Sequence, residues 1–113
     1  MLKNFLKNSR SNVGLNKYKI IFSNPAVEDL EEIDFYIRNV LLEPEIANNL
    51  ITRLMKSIDS LAYIPNRIKT VNGSTNIRKL ISNDYLIFFT IKEDKIIILD
   101  IVKANRDLTN LQF

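Results

Sequence analysis

Residues 77–102 read IRKLISNDYLIFFTIKEDKIIILDIV and decide the fold. This stretch contains three β-type runs separated by short polar breaks: Ile77–Ile81, Tyr85–Ile91 and Ile96–Val102. The breaks at Asn83-Asp84 and at residues 92–95 are typical of hairpin turns. Strands joined in this way predict an antiparallel sheet. The third run is almost wholly apolar, which favours a central strand packed on both sides.

Two helical patterns precede these strands. From Asn24 to about Leu42, and from Pro44 to about Ile64, apolar residues recur every three or four positions, which is the spacing of one buried helix face. Asn24 is the expected N-cap of the first helix, with Pro25 at the first helical position. Because the corner at Glu43-Pro44 is short, the pattern predicts an antiparallel αα-hairpin.

A further strand is predicted at Lys17–Ser23, where the partly continuous apolar run favours a central position. Helices followed by neighbouring strands indicate a helical layer on one face of the sheet, with the other face free. The predicted fold class is therefore α+β, with an N-terminal strand and an antiparallel αα-hairpin packed on a mainly antiparallel β-sheet. We expect a flexible extension over residues 1–17 and a single domain over residues 18–113.

The composition restricts the chemistry that this chain can perform. It has 113 residues, enough for one hydrophobic core, and it contains no cysteine and no histidine. Disulfides, thiolate nucleophiles and cysteine-based zinc sites are therefore excluded, and a transition-metal site is disfavoured. We expect no metal and no cofactor. Any acid–base chemistry must use Lys, Arg, Tyr, Asp or Glu in tuned environments.

Charge is unevenly distributed along the chain. Residues 24–41 contain five acids and one arginine, whereas residues 66–113 contain eight basic and five acidic side chains. The first helix is thus acidic and the sheet is basic. The acids at 28–34 could form a metal site or an acid–base pair, but Leu30 and Ile33 take the buried positions, so a solvated helix face is favoured.

The basic residues of the second half are the candidate binding residues: Arg67, Lys69, Arg78, Lys79, Lys103 and Arg106. Basic side chains beside an aromatic residue on a sheet suit a phosphate-bearing ligand, and Tyr85 is expected close to the Arg78–Lys79 strand across the hairpin. Because side chains alternate along a strand, Arg78 and Lys79 must point to opposite faces. The alternative is that these residues are ordinary surface charges.

Several stretches, taken in order, are similar to the RelE/ParE family of bacterial toxins from type II toxin–antitoxin systems. They are YKIIFSNPAVEDLEEIDFYI (18–37), the P-x-x-A of Pro44 and Ala47, SLAYIP (60–65), IRKLISNDYLIFFTI (77–91) and IVKANRDLTNL (101–111). Each motif is loose by itself, but their ordered combination is specific. The resemblance implies a small α+β fold with an αα-hairpin against an antiparallel sheet.

The family divides in mechanism. RelE-like members cleave messenger RNA in the ribosome, using basic side chains on the open sheet face, whereas ParE-like members act on DNA gyrase. Lys79 and Arg106 match basic positions of the nuclease pattern, and Tyr85 would assist proton transfer in a nuclease. However, three other positions carry residues unsuited to this chemistry: Ile77 stands in place of Lys, Leu86 in place of Arg, and Gln112 in place of Tyr or His.

Losing one stabiliser of developing charge typically costs about 100- to 1000-fold in rate, so the missing groups favour a ParE-like toxin that inhibits growth by binding gyrase. A ribosome-dependent endoribonuclease remains the alternative. Under either reading, the residues expected to bind the target or its phosphates are Arg78, Lys79, Lys103 and Arg106. The sequence assigns no antitoxin-binding residues.

The resemblance also implies the partners. They are a cognate antitoxin, DNA gyrase or the ribosome with its messenger, and operator DNA only indirectly, through the antitoxin; a role in plasmid stabilisation follows. No apolar run approaches the ~20 residues of a membrane-spanning helix. The sequence therefore predicts a cytoplasmic protein without membrane contact.

Overall fold

A computed structural model describes residues 17–73 and 76–104. The chain forms β1 (Lys19–Phe22), α1 (Asn24–Phe35), a π-helical turn (Tyr36–Val40), α2 (Pro44–Ser60), a 3₁₀ turn (Pro65–Arg67), β2 (Ile77–Ser82), β3 (Tyr85–Lys92) and β4 (Lys95–Lys103). This is the predicted α+β element order. The extension expected over residues 1–17 lies, except for Lys17, outside the described residues.

The four strands form one mixed sheet in the order β1-β4-β3-β2. β2, β3 and β4 pair antiparallel, and β4 is central, as its apolar run predicted. β1 pairs parallel with β4 and lies at the edge, so the prediction of a central position for this run was wrong. Its continuous apolar character has a different origin. Ile20 and Phe22 pack on the core while Ile21 lies on the opposite face, 41% exposed.

Both helices pack on one face of the sheet, as predicted, and no described helix packs on the other face, although Leu86 on that face is only 5% exposed. The core lies between the layers and consists of Ala26, Leu30, Ile51, Leu54, Met55, Ile58, Leu61, Tyr85, Ile87, Phe89, Ile96, Ile98 and Ile101. Side chains alternate along a strand, so the odd-numbered residues of β3 face the helices and the even-numbered ones face away. The two sheet faces are therefore chemically distinct.

The first helix ends earlier than the periodicity predicted. α1 stops at Phe35 and continues as a π-helical turn, in which the Leu41 amide donates to the Tyr36 carbonyl at 2.9 Å. Leu42 then adopts a left-handed conformation, with φ 58°, and the chain turns into α2. The corner is held by Arg38, whose guanidinium donates to Asp34 at 2.8 Å and to Asn48 of α2 at 2.6 Å.

α1 is attached to β4 by two side-chain hydrogen bonds at a β-bulge. Opposite Phe88 and Phe89, β4 has one extra residue, Leu99. The Ser23 hydroxyl donates to the Leu99 carbonyl at 3.0 Å, and the Asp29 carboxylate accepts from the Ile101 amide at 2.8 Å. β1 ends opposite Ile98, so α1 supplies the partners that a longer strand would have supplied.

Ser23 has a second function, because it is the N-cap of α1. Its hydroxyl accepts from the Ala26 amide at 3.2 Å, so the cap predicted at Asn24 lies one residue earlier. Asn24 is instead the first helical residue. A single hydroxyl group therefore both caps the helix and attaches it to the bulge of β4.

We expect Ser23→Ala to lower the free energy of unfolding by about 1–2 kcal/mol, because it removes the helix cap and the bond to Leu99. Ser60→Ala is the matched control, since the exposed Ser60 hydroxyl bonds only to Ser57 of its own helix. Chemical denaturation of both variants measures the difference. Equal losses would contradict the dual role of Ser23.

A buried polar pair lies where the described chain begins. The Asp59 carboxylate and the Lys17 ammonium each have a buried atom without a hydrogen-bond partner among the described residues, and Lys17 also lies 5.7 Å from the Tyr63 ring centre. Burial raises the pKa of Asp59 from 3.8 to about 6, although the Lys17 charge acts in the opposite direction. The folded chain therefore retains a proton on Asp59 that the unfolded chain has released.

The free energy of unfolding should consequently fall as the pH rises from 3.8 to about 6, because the folded state binds more protons in this range. Asp59→Asn should remove this slope and should exceed the parent protein in stability at neutral pH. Urea titrations at several pH values measure the effect, with the exposed Glu31→Gln as control. The same pH slope in Asp59→Asn and in the parent would show that Asp59 is not responsible.

Candidate functional site

A cleft opens between the helical hairpin and the end of the sheet. It has a volume of about 490 Å³ and is lined by Ile37, Ile46, Asn49, Leu50, Arg53, Asn83, Asp84, Tyr85 and Lys103. A second cavity of about 470 Å³ adjoins it along α1 and shares Ile37, Tyr85 and Lys103. We call the two together the hairpin cleft.

The floor of the hairpin cleft is formed by the pair Tyr85 and Lys103. The two residues face each other across β3 and β4, and the Lys103 ammonium lies 5.4 Å from the Tyr85 ring centre. Tyr85 is only 7% exposed. The Asn83-Asp84 turn, with φ values of 51° and 68°, is a type I′ hairpin turn, and it sets this register.

Charge in the hairpin cleft is divided between its two parts. Arg53 of α2 lines the first cavity together with Asp84, whereas Asp29 and Glu32 of α1 line the second. Lys103 is common to both, so the cations predominate in the first cavity and the acids in the second. Burial is the main cause that raises the pKa of Asp29 above 3.8; the hydrogen bond from Ile101 counteracts this, and Asp100 adds to it. The acids of α1 were predicted to form a solvated face, but Asp29 is half-buried and bonded to the sheet.

The rim of the hairpin cleft is unusually apolar for a solvent-exposed surface. Six large apolar residues at the corner of the hairpin are about half exposed or more: Phe35, Tyr36, Val40, Leu41, Leu42 and Ile46. We call them the hairpin tip. A cluster of this kind marks an interaction surface. With Tyr85, Arg53 and Lys103 beside it, the region has the aromatic and cationic side chains that are common at the centres of protein interfaces.

The open face of the sheet has a different pattern, which follows from the strand register. Residues that face each other across neighbouring strands lie side by side, so they form four rows. The rows are Lys19–Lys95–Lys92, then Ile21–Ile97–Thr90–Ile77, then Asp100–Phe88–Lys79, then Val102–Leu86–Ile81. Most of this face is therefore apolar, and its basic residues are concentrated in the first row.

The predicted binding residues do not meet at one place. Lys79 lies on the open face, opposite Phe88, whereas Arg78 lies opposite the core residue Phe89 and donates to the Ile68 carbonyl. This confirms that the two point to opposite faces. Tyr85 lies in β3, which pairs with the Arg78–Lys79 strand across the hairpin as expected. Tyr85 and Lys103 lie on the helix-facing side of the sheet, however, and Lys79 lies on the other side. Arg106, like Gln112, lies outside the described residues.

This arrangement bears on the nuclease chemistry. Ile77 and Leu86 share the open face with Lys79, so the positions that would carry Lys and Arg in a nuclease are apolar here. Tyr85 is on the other side of the sheet, and its pKa is raised, first by burial and then by the Asp84 carboxylate. A raised pKa makes the phenol a poorer general base at neutral pH.

Sequence reasoning missed two groups of residues. The row of Lys19, Lys92 and Lys95 becomes visible only once the register is known, because the lysines come from three different strands. The exposure of the hairpin tip was missed because its apolar residues fit a buried helical stripe. The signal available in the sequence was Pro44, which disfavours a helical conformation in the residue before it. In the structure the corner is made by Leu42, whose φ is 58°.

Residues 20–108 match the family described as the ParE toxin of type II toxin–antitoxin systems, parDE. This chain belongs to the ParE toxin family. No individual curated protein matches it significantly.

One solved structure agrees with this ParE toxin assignment at the level of the fold. A chain of the chromosomal ParDE toxin–antitoxin system from P. aeruginosa superposes with a TM-score of 0.70 at 20% identity, covering 80% of this chain and 100% of that one. The conserved hypothetical protein HP0894 from Helicobacter pylori gives a TM-score of 0.48 at 20% identity, over 76% of this chain and 93% of that one. In the described part of this ParE toxin, none of the helices has the length and apolar character needed to cross a membrane.

The buried environment of Tyr85 gives a spectroscopic prediction. A titration of tyrosinate absorbance should contain a component above the ordinary value of 10.0, because burial and Asp84 both disfavour the phenolate. Tyr85→Phe should remove that component, whereas Tyr36→Phe, at an exposed position, should leave it in place. Circular dichroism at each pH checks that the protein is still folded. Persistence of the component in folded Tyr85→Phe would contradict this placement of Tyr85.

Proposed function

We propose that this protein inhibits growth by binding DNA gyrase and is neutralised by a cognate antitoxin. The observation that carries the proposal is membership of the ParE toxin family over residues 20–108. The separation of the predicted nuclease residues supports it: Lys79 lies on the open face and Tyr85 beneath the helices, and Ile77 and Leu86 are apolar. The described residues thus offer surfaces for binding, and those predicted for nuclease chemistry do not assemble into an acid–base pair there.

The hairpin cleft is the surface we assign to gyrase. Lys103 was predicted to bind the target, and it lies there with Arg53 at the edge of the exposed hairpin tip. Tyrosine and arginine beside an exposed apolar cluster form the type of centre on which protein–protein affinity depends. The other predicted contacts, at Arg78, Lys79 and Arg106, are secondary in this proposal. Arg78 in particular already donates a hydrogen bond to the Ile68 carbonyl.

The proposed partners follow from the type of system. An antitoxin would bind the toxin in the cytoplasm and would make the contacts to operator DNA, so the toxin reaches DNA only through it. Part of the antitoxin must cover a surface that the toxin needs for its target. The acidic α1 and the basic residues of the sheet favour an antitoxin with both basic and acidic segments.

The purified protein should inhibit supercoiling of relaxed plasmid by gyrase. Arg53→Glu and Lys103→Glu should each weaken inhibition about tenfold or more, because each places a carboxylate at the centre of the contact. Lys56→Glu is the matched control, since Lys56 is exposed on the same helix as Arg53 but does not line the hairpin cleft. Thermal unfolding of each variant checks that the fold is retained.

A parallel assay in a translation extract tests the nuclease alternative. The proposal expects intact messenger RNA. It fails if supercoiling is untouched while messenger is cleaved at defined codons. Loss of that cleavage in the double variant Lys79→Ala, Arg106→Ala, with the fold retained, would then establish the ribonuclease. If neither glutamate variant changes the inhibition of gyrase, gyrase remains the target but the hairpin cleft is not the surface that binds it.

A further inference from the structure

The two edge strands of the sheet, β2 and β1, differ in how far the chain itself covers them. Beside β2 lies the segment that precedes it, and the Val71 amide donates to the Ile77 carbonyl at 2.7 Å. Beside β1, such cover is found at Tyr18, whose amide donates to the Ala62 carbonyl at 2.8 Å. An edge strand without a partner is a template for pairing with another strand. The edge of Lys19–Phe22 is therefore a candidate interaction site.

The parallel pairing of β1 with β4 shows which backbone groups of β1 point outward. The Lys19 and Ser23 amides donate to carbonyls of the β3–β4 hairpin at 2.9 and 3.0 Å. Backbone groups along a strand point alternately toward a neighbouring strand and away from it. The N–H and C=O groups of Ile20 and Phe22 therefore point away from β4. Within residues 17–73 and 76–104, no backbone group pairs with them.

A second copy of β1 can satisfy all of these groups at once. When two copies lie antiparallel with Ile21 opposite Ile21, the Ile20 of each copy is opposite the Phe22 of the other. Both Ile20–Phe22 pairs then exchange their two N–H···O=C bonds. Lys19, the charged residue of β1, is opposite Ser23 of the other copy, so like charges do not face each other.

Other registers of the same pairing satisfy fewer groups. A shift by two residues places Ile20 opposite itself and Phe22 opposite Tyr18, whose amide is already bonded to Ala62. A shift by one residue opposes side chains that belong to different faces of the sheet. The hydrogen-bonding pattern of β1 therefore matches its own copy in the register centred on Ile21.

The same register gives apolar contacts on both faces of the sheet. Ile21 is 41% exposed and begins the row that continues through Ile97 to Ile77, so the symmetry axis joins this row to its copy. On the helix-facing side, Ile20 and Phe22 are half-buried at the edge. An aromatic side chain beside a β-branched one is a favourable cross-strand pair. A strand of unrelated sequence would use the same backbone groups without this match of side chains.

We propose that the free toxin forms a two-fold symmetric dimer in which β1 pairs antiparallel with β1 of a second copy, joining two four-stranded sheets into one. The paired strands are only four residues long, so the dimer is weak and depends on concentration. No residue of β1 lines the hairpin cleft. The inference goes beyond the proposed function and requires neither gyrase nor antitoxin.

Sedimentation equilibrium of the full-length toxin between about 1 and 500 µM should show a reversible monomer–dimer equilibrium. Ile21→Lys and Ile21→Glu should each weaken the dimer at least about tenfold, because each places like charges directly opposite each other. An equimolar mixture of the two variants should dimerise again, since opposite charges then meet. Ile77→Lys is the matched control, because Ile77 is 38% exposed in the same row but lies on the other edge strand. Circular dichroism checks that each variant is folded.

A single introduced thiol tests the register, because the chain has no cysteine of its own. Ile21→Cys should form an intermolecular disulfide under mild oxidation. The Cα atoms of a non-hydrogen-bonded antiparallel pair are about 4.5 Å apart, within the range of about 4.4–6.8 Å that a disulfide spans. Lys19→Cys should form none, because the two Lys19 positions would be separated by about 13 Å along the strands.

Several outcomes would overturn the proposal. One is a toxin that stays monomeric over the whole range while Ile21→Cys forms no disulfide. Others are a disulfide through Lys19→Cys instead, or a mixture of Ile21→Lys and Ile21→Glu that does not dimerise. A dimer that Val40→Lys dissociates and Ile21→Lys does not would assign the second copy to the hairpin tip. The toxin is used alone, so these results are independent of the supercoiling assay.

Discussion

The attachment of α1 to the bulge of β4 is the constraint on which the rest of the arrangement depends. β1 is only long enough to pair with the first half of β4, and the backbone beyond Ile98 needs other partners. Ser23 and Asp29 provide them, one as donor and one as acceptor. Because Ser23 caps α1 and Asp29 lies on it, the helix is fixed over one face, and the αα-hairpin that α1 begins packs on that face.

The division of the sheet into two faces then separates the functional residues. Strand alternation puts Tyr85 and Lys103 beneath the helices, where they form the floor of a cleft, and puts Lys79 on the far side with apolar neighbours. A residue set that is close in sequence is thus distributed over two surfaces with different chemistry. One surface has aromatic and cationic groups beside an exposed apolar tip. The other has a basic end and an apolar body.

The sequence predicts the features that depend on residues close together in the chain, and it does not predict those that depend on residues far apart. The hairpins of β2–β4 and the opposite orientations of Arg78 and Lys79 follow from local alternation and turn residues, and they were predicted correctly. The edge position of β1 and its parallel pairing depend on where two helices return the chain, which no local pattern encodes. The row of Lys19, Lys92 and Lys95 is non-local for the same reason, since it needs the register of three strands.

The π-helical turn explains why the residues of the hairpin tip are exposed. One additional residue in a helical turn rotates everything after it by about 100° around the helix axis, relative to an uninterrupted α-helix. Val40 and Leu41 continue the apolar spacing of three and four residues that predicts a buried face from Asn24 to about Leu42, but they are consequently 56% and 49% exposed. A chain with one residue fewer between Tyr36 and Val40 would direct these side chains inward and would lose the exposed apolar patch, although Val40 and Leu41 themselves were unchanged.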